Sequence, residues 1–383
     1  MRLLKTFSID QKLILVGVAC LFLPYQVSAA ILIGILLQAL FRKELICAIK
    51  NQVGSKFFYA FVALELIVCL FYKNSIGFIN TGMFLIIGAF GAYYRKHITQ
   101  DMFDCMCDII IGLSIVAAIY GLYQFYMYSI QGGYSFFQFH IFNSPSRRIK
   151  STFMNANIYA MMIDFFCLLC MYRFVQVNKV SLRILYFLVA VFNFFVLYLT
   201  GSRTALLPFL VIFPIFLGCV HWKKLFWTSI ICEGLILVLV CLKPNLIPRI
   251  NDMSTFASRI KIWKTAFICI SMYPVFGWGP QTYLKFYPLV NGHKAPHAHN
   301  IYIDSILSYG VVGTFLILCY TFILNKEIIQ SDLRKENEAL FALMMCFIAV
   351  VLIYGLLDCT LNIVATGTLC FLILNSSCMY LKK

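Results

Sequence analysis

Residues 183–220 read RILYFLVAVFNFFVLYLTGSRTALLPFLVIFPIFLGCV. Two apolar runs, 183–199 and 204–220, are joined by a link containing Gly201-Ser202-Arg203. Each run has about the length at which a helix begins to cover some 30 Å of hydrocarbon. The link is too short to hold a soluble element. The pair therefore reads as a transmembrane hairpin, with the Arg203 guanidinium held at the membrane edge. Outward from it the pattern repeats over 13–23, 26–41, 57–72, 77–94, 108–130, 153–172, 225–243, 301–324, 339–357 and 360–381. The expected fold is an all-α polytopic membrane protein of about twelve transmembrane helices.

Composition agrees. Of the 383 residues 62% are hydrophobic and 12% charged, against about 45–50% and 25% in soluble domains. The apolar blocks fill nearly the whole chain, so 1–383 reads as a single membrane domain. The formal charge of +16 is no argument for nucleic acid, because basic residues of membrane proteins gather on cytoplasmic loops and against anionic lipid. The 16 cysteines lie mostly inside apolar blocks, as do Cys20, Cys69, Cys319 and Cys370, where the thiol acts as a small hydrophobe. Cys167 and Cys170 have metal-like spacing but no second pair, so they read as helix packing.

The N-terminus, with Arg2, Lys5 and Lys12 before an apolar run to Pro24, has the look of a signal peptide. Apolar character continues to Leu40, which favours a retained helical hairpin turning near Pro24. Charge tests that choice. With the N-terminus inside, 19 of the 31 lysines and arginines fall on cytoplasmic segments, as the positive-inside rule requires. Both termini are then cytoplasmic. Most of the remaining 12 fall in two outside stretches, 131–152 and 243–300. The loop 244–300 is the one long extracytoplasmic element. It is rich in proline, from Pro244 to Pro296, and 256–273 reads as a helix whose apolar face is Phe256, Ile260, Trp263, Phe267 and Ile270. Such a helix fits the outer membrane surface.

Outer-face arginines run against the positive-inside bias. Arg147, Arg148, Arg203, Arg249 and Arg259, with Lys150, Lys261 and Lys264 nearby, suit phosphate or diphosphate, which a guanidinium grips with two parallel hydrogen bonds. Arg249 reads more simply as solvated loop charge. Three of the six histidines fall in His293-Lys294-Ala295-Pro296-His297-Ala298-His299-Asn300, just before the helix at Ile301. One of them suits a general base near neutral pH. His297, His299 and Asn300 equally suit the capping of that helix. Zinc is disfavoured, since no acidic or cysteine ligand is near in sequence. Asp304, one turn into the helix, is either functional or paired with an arginine; Asp164, Glu65, Glu233 and Asp358 are weaker cases of the same kind. The chain has no G-x-x-x-x-G-K-[ST] loop, no G-x-S-x-G and no H-E-x-x-H, so the ATP-driven, serine-hydrolase and zinc-protease signatures are missing.

Four stretches in order resemble the O-antigen ligase and polymerase family of bacterial envelope glycosyltransferases. Arg148-Ile-Lys-Ser-Thr-Phe-Met-Asn155-Ala-Asn157-Ile-Tyr-Ala160 is similar to its R-x-x-G-T-F-x-N-x-N-x-x-A segment, with Ser151 where glycine is usual. Thr200-Gly-Ser202-Arg203 is similar to T-x-S-R. Arg259-Ile-Lys-Ile-Trp263 with Pro274-Val-Phe-Gly277-Trp-Gly279 is similar to R-x-x-x-W and P-x-x-G-x-G. His299-Asn300 with Gly310-Val-Val-Gly313 is similar to A-H-N and G-x-x-G.

The resemblance implies a metal-independent inverting glycosyltransferase of the bacterial cytoplasmic membrane, needing no cofactor. Its donor would be a glycan on undecaprenyl diphosphate and its acceptor another glycan or lipid-linked molecule. A flippase and a chain-length regulator would be its partners. By that likeness His299, Arg203 and Arg259 are the catalytic candidates. Arg148, Asn155, Asn157, His297 and Asn300 are the substrate-binding candidates. Arginines would hold the diphosphate while His299 orients or deprotonates the acceptor hydroxyl. Polymerisation of repeat units, for capsule, exopolysaccharide or O-antigen, is the reading preferred over ligation to lipid A core or protein. A transporter of lipid-linked sugars and a non-catalytic scaffold are the rivals from other classes.

Overall fold

A computed structural model describes residues 6–249 and 254–381. Arg2, Lys5, Lys382 and Lys383, which carry part of the orientation argument, lie outside the described residues. Among the described residues every regular element is helical. The long elements are α1 (Ile9–Ala19), α2 (Tyr25–Phe41), α3 (Glu44–Asn51), α4 (Ser55–Phe71), α5 (Ser75–His97), α6 (Gln100–Gln131), α7 (Ala156–Gln176), α8 (Val180–Thr200), α9 (Arg203–Cys219) and α10 (Lys223–Leu242). There follow α11 (Ser254–Met272), the short α12 (Thr282–Phe286), α13 (Ile301–Gln330), the short α14 (Leu333–Glu336), α15 (Glu338–Gly355) and α16 (Val364–Asn375). Seven are long and apolar enough to cross a membrane: α5, α6, α7, α8, α10, α13 and α15. The pair α3–α4, bent by 108°, would make an eighth. The stretches at α2, α9 and 364–380 are shorter apolar helices. The helix hairpin expected at the N-terminus forms, with Pro24 as the N-cap of α2.

Burial ranks the helices. In α7, 83% of the apolar window is buried; in α10, none is. A helix apolar on every side belongs at the centre of a bundle, and α7 packs there against α8 and α15. Phe165 stacks on Phe347 of α15 with centroids 4.3 Å apart. The standing apart of α10, joined to the rest chiefly through α9, leaves a space between the two.

The two ends of the bundle differ. At one end basic side chains meet acids: Arg42 with Asp10 at 2.7 Å, Arg95 with Glu327 at 2.6 Å, and Arg173 with Asp104 and Asp108 at 2.7 and 2.8 Å. The other end gathers the N-termini of α7, α9 and α13 and the C-termini of α8, α10 and α15, and there the arginines and histidines singled out above converge.

Three features depart from expectation. First, α6 begins at Gln100, eight residues early, so Asp104 is a helical ion-pair partner and not a loop residue, and Asp108 lies well inside the helix. Second, of the five-residue stripe read on α11 only Phe256, Ile260 and Phe267 face outward; Trp263 and Ile270 pack inward beside the buried Ile262, Thr265, Ala266 and Cys269. An outward apolar stripe suits a helix lying on a lipid surface, while small residues allow α11 to sit close to α13. Third, α13 is broken at Gly310, where φ is +60° and ψ −171°.

That break is held open by the loop 274–279. Val311 and Val312 donate their N–H groups to Pro274 and Val275 carbonyls at 2.9 and 3.0 Å, and Gly279 donates to the Ser308 carbonyl at 2.9 Å. The backbones touch so closely that a Cβ on Gly277 would sit 2.2 Å from the Ser308 oxygen, and one on Gly310 2.4 Å from Val275. The two glycine blocks of the resemblance are therefore one structural joint. It angles the first turns of α13, and with them His299, toward the site.

Candidate active site

A cavity of about 1440 Å³ opens between α8, α9, α10 and α11, and its wall includes the segment 293–296 and His299. One part is polar and cationic, with Arg148, Arg203, Arg249, Arg259, Lys294 and His299 in its wall. The remainder is apolar, lined by residues such as Phe209 and Phe213 of α9 and Ile236 and Val240 of α10. A cavity of this kind accommodates a molecule with an anionic head and a hydrocarbon tail.

Local sequence explains how the guanidinium groups meet. Gly201 ends α8 in the left-handed region at φ +64°. A Cβ there would lie 2.6 Å from Ile141 and 3.3 Å from the Arg249 side chain, so only glycine leaves room for the arginines around it. Two residues on, Arg203 opens α9, whose N-terminus adds positive potential to the same wall. Arg203 Nη1 donates to the Arg249 carbonyl at 3.1 Å, and Arg249 Nε donates to Asn143 Oδ1 at 3.2 Å. Arg148 is buried; it donates from Nε to the Thr200 carbonyl at 2.8 Å and from Nη2 to Asn157 Oδ1 at 3.0 Å. Burial, reinforced by the Arg249 charge, pushes Arg148 down to about 10. Arg259 on α11 is half-buried, and burial followed by the Arg203 charge lowers it too, against the pull of Asp358. Cations forced together in this way are stabilised by an anion placed among them.

The second half of the site is a histidine–carboxylate pair. His299 Nδ1 lies 3.2 Å from Asp358 Oδ1. Asp358, between α15 and α16, is 3% exposed. Burial alone would raise its pKa, but the His299 hydrogen bond and the fields of His297 and His299 outweigh that and hold it far below the usual carboxylate range. An ionised Asp358 only accepts hydrogen bonds, so His299 presents Nδ1–H to it, and Nε2 keeps a free lone pair. His299 lines the cavity. It also has φ +49°, a backbone strain that costs a non-glycine residue about 1–3 kcal/mol and tends to collect at functional sites.

His297 and Asn300 are placed differently from expectation. Neither is in the cavity wall. His297 packs on His299 with ring centroids 4.3 Å apart, and its Nδ1 accepts the His299 backbone N–H at 3.2 Å. Its Nε2 then carries the proton and faces Asp358 Oδ1 at 3.7 Å. Burial pulls His297 down to about 4, so it stays neutral. His297, His299 and Asp358 are close enough to be considered a metal ligand set. To serve as one, His297 would have to reverse its tautomer and give up the His299 N–H, so the arrangement fits a hydrogen-bond relay better. Asn300 caps α13, accepting from Tyr302 and Ile303 N–H, and its Nδ2 donates to the Leu356 carbonyl at 2.9 Å. Asp304 is likewise structural in this geometry, taking the Ala298 N–H at 2.8 Å.

Asn155 does line the cavity, while its Oδ1 caps α7 through Asn157 and Ile158 N–H. Asn157 joins the two halves of the site. Its Oδ1 accepts from Arg148 and from Ser202 Oγ at 3.3 Å, and its Nδ2 donates to Asp358 Oδ2 at 2.5 Å. The arginine cluster and the histidine pair thus share one hydrogen-bonded chain, Arg148–Asn157–Asp358–His299.

Residues 188–318 match the sequence family described as O-antigen ligase. Over that segment the chain is similar to the family. No curated protein matches the chain significantly. The matched segment includes Arg203, Arg249, Arg259 and His299, whereas Arg148, Asn155, Asn157 and Asp358 come from outside it and complete the site in space. Sequence reasoning passed over two of these functional groups. Asp358 stood among several embedded carboxylates, 59 residues from His299, with no motif to link them. Arg249, read as loop charge, is in the cavity wall.

Proposed function

We propose that the protein transfers a glycan from undecaprenyl diphosphate to an acceptor hydroxyl, at the outer face of the bacterial cytoplasmic membrane. The observation that carries this reading is the joining of an arginine cluster to a cavity-facing His299–Asp358 pair at one end of an amphiphilic cavity. The lipid tail would lie between α9 and α10, and the diphosphate among Arg203, Arg259, Arg148 and Arg249.

In the reaction, His299 Nε2 accepts the proton of the acceptor hydroxyl as its oxygen attacks the anomeric carbon. The bond from that carbon to the diphosphate oxygen breaks, and the electron pair leaves with the lipid diphosphate. Charge develops on the leaving oxygen, where fixed guanidinium groups stabilise it more than they stabilise the ground state. Asp358 stabilises the imidazolium as it forms. Attack opposite the leaving group inverts the anomeric centre. The donor bond supplies the driving force, so neither nucleotide nor metal is required by this scheme.

The chain then acts as a single membrane domain of about twelve spans, with both termini in the cytoplasm and 244–300 outside. The positive charge on the alternate links supports that orientation. The preferred activity is polymerisation of lipid-linked repeat units, working beside a flippase and a chain-length regulator. Purified protein with a lipid-linked repeat unit from its own strain tests this by gel. A ladder of lengthening lipid-linked glycans supports a polymerase. Transfer that occurs only when lipid A core or a protein acceptor is added makes it a ligase. Silence with every acceptor refutes the transferase reading in favour of transport.

A further inference from the structure

His299 is set by Asp358, and Asp358 is bonded in turn to Asn157. These last two come from different elements: Asn157 stands in the first turn of α7, and Asp358 follows the end of α15. Tyr354, in the last turn of α15, bonds to both. Its carbonyl accepts the Leu357 and Asp358 N–H groups at 3.1 and 3.0 Å, which turns the chain beyond α15 and sets the Asp358 backbone. Its hydroxyl donates to the Asn157 carbonyl at 2.7 Å. One buried side chain therefore spans the pair. Tyr354 is not in the cavity wall, so it acts on the site only through its neighbours.

Ser202, the serine of the T-x-S-R likeness, does line the cavity. Its Oγ lies 3.3 Å from Asn157 Oδ1 and 3.4 Å from Tyr354 Oη. The Tyr354 hydrogen is spent on Asn157, so both neighbours are acceptors and share the one Ser202 hydrogen. Arg148 also donates to Asn157 Oδ1. Between them Ser202 and Arg148 keep the Asn157 amide turned so that Nδ2 meets Asp358.

A buried tyrosine hydroxyl needs a partner in any fold. Tyr94 meets that need and nothing more: its Oη lies 2.6 Å from Ser376 Oγ, beside the Arg95–Glu327 pair at the far end of the bundle. Tyr354 differs in holding two members of the relay at once.

We propose that Tyr354, assisted by Ser202, is a positioning residue for His299. Its hydroxyl and carbonyl fix the separation of Asn157 and Asp358, and so keep Asp358 on the Nδ1 side of the imidazole. This rests on the glycan-transfer reading above and adds to it the strut behind the base.

The test reads the His299 tautomer directly. The full chain, labelled with ¹⁵N-histidine, is placed in phosphatidylcholine nanodiscs with chelator at about pH 8, where imidazole is neutral. Nitrogen NMR separates the Nδ1–H and Nε2–H forms, and the spectrum of His299→Gln assigns the signals by subtraction. Native His299 should carry its proton on Nδ1. Tyr354→Phe keeps the carbonyl and frees only the Asn157 end, and should raise the Nε2–H share at least roughly threefold. Tyr94→Phe loses a buried hydrogen bond of its own and should leave His299 unchanged. If Tyr354→Phe does not fold, Ser202→Ala is read in the same way. An unmoved tautomer in the folded variant would overturn the proposal, as would an equal shift in Tyr94→Phe. In turnover, Tyr354→Phe should lower kcat roughly tenfold with donor KM within about twofold, because a displaced base is felt in the chemistry and not in donor binding; an unchanged kcat would also overturn it. Failure of the transfer reading looks different: the tautomer shift would persist in a protein that never releases lipid diphosphate from any donor.

Discussion

Replacing Asp358 by asparagine changes almost no volume and removes one charge, so its consequences can be followed atom by atom. Asp358 accepts from His299 Nδ1 at 3.2 Å, from its neighbour Cys359 N at 2.9 Å and from Asn157 Nδ2 at 2.5 Å. An amide offers only one accepting oxygen. If that oxygen serves His299 and Cys359, the new NH₂ meets the Asn157 NH₂, donor against donor. Asn157 must then flip, which turns its Oδ1 away from Arg148 and Ser202. If the amide turns the other way, its NH₂ faces His299 Nδ1 and selects the tautomer with Nε2 protonated, which is no base. Either outcome forfeits a charge-assisted hydrogen bond worth about 1.5–3 kcal/mol and damages acid–base catalysis worth about 10²–10⁴-fold. Asp358→Asn should therefore lower kcat/KM by roughly 10²–10³ while leaving donor binding within a few-fold. Single-turnover release of lipid diphosphate from reconstituted protein measures the first, and donor titration the second. A folded Asp358→Asn protein within threefold of full activity would refute the relay.

Three other outcomes follow from the same geometry. Arg203→Ala should reduce turnover by roughly 10²–10³, the usual effect of removing one fixed donor at a developing anion, and Arg203→Lys should recover only a part because the planar fork is lost; steady-state kinetics with the lipid-linked donor read both. Gly310→Ala places a Cβ against Val275 at a positive φ and should destabilise the chain by about 2–4 kcal/mol, seen as a lower melting temperature in detergent with activity lost alongside. Acidification should weaken the fold through His297: its value falls from an ordinary 6.5 to about 4 on burial, so the unfolded chain binds the extra proton, stability is complete above pH 6.5 and declines as pH falls toward 4, by up to about 3 kcal/mol. Thermal melts across that window check it, and His297→Gln should flatten the decline.

How much the sequence discloses depends on the kind of signal. Apolar runs such as 183–199 and 204–220 need only a bilayer's thickness of hydrophobic residues, so the helices were legible, and Pro24 marked its turn. Arg203 and Arg259 stood out because outer-face arginines oppose a strong bias. Of the α11 stripe Phe256, Ile260 and Phe267 face outward, as a helix on a lipid surface requires, while Trp263 and Ile270 turn to protein: periodicity shows that a helix has an apolar face, not which of its residues protein covers, and Ala266 and Cys269 were too small to advertise that contact. The break in α13 has no proline to announce it; Gly310 became informative only once Pro274 and Val275 were seen bonded beyond it. Asp358 was hidden by distance along the chain, and Asn157, expected to touch substrate, lies in the cavity wall and also bridges Arg148 and Asp358.

In the proposed mechanism His299, set by Asp358, deprotonates an acceptor while the arginines take the leaving diphosphate. This mechanism is tested most directly by single-turnover release of undecaprenyl diphosphate from a native lipid-linked glycan, in chelator and without nucleotide, comparing the full protein with His299→Ala and Arg203→Ala. Release should be stoichiometric, with acceptor glycan extended, in the full protein, and reduced by at least roughly 10²-fold in each variant. Unimpaired release in His299→Ala would contradict it.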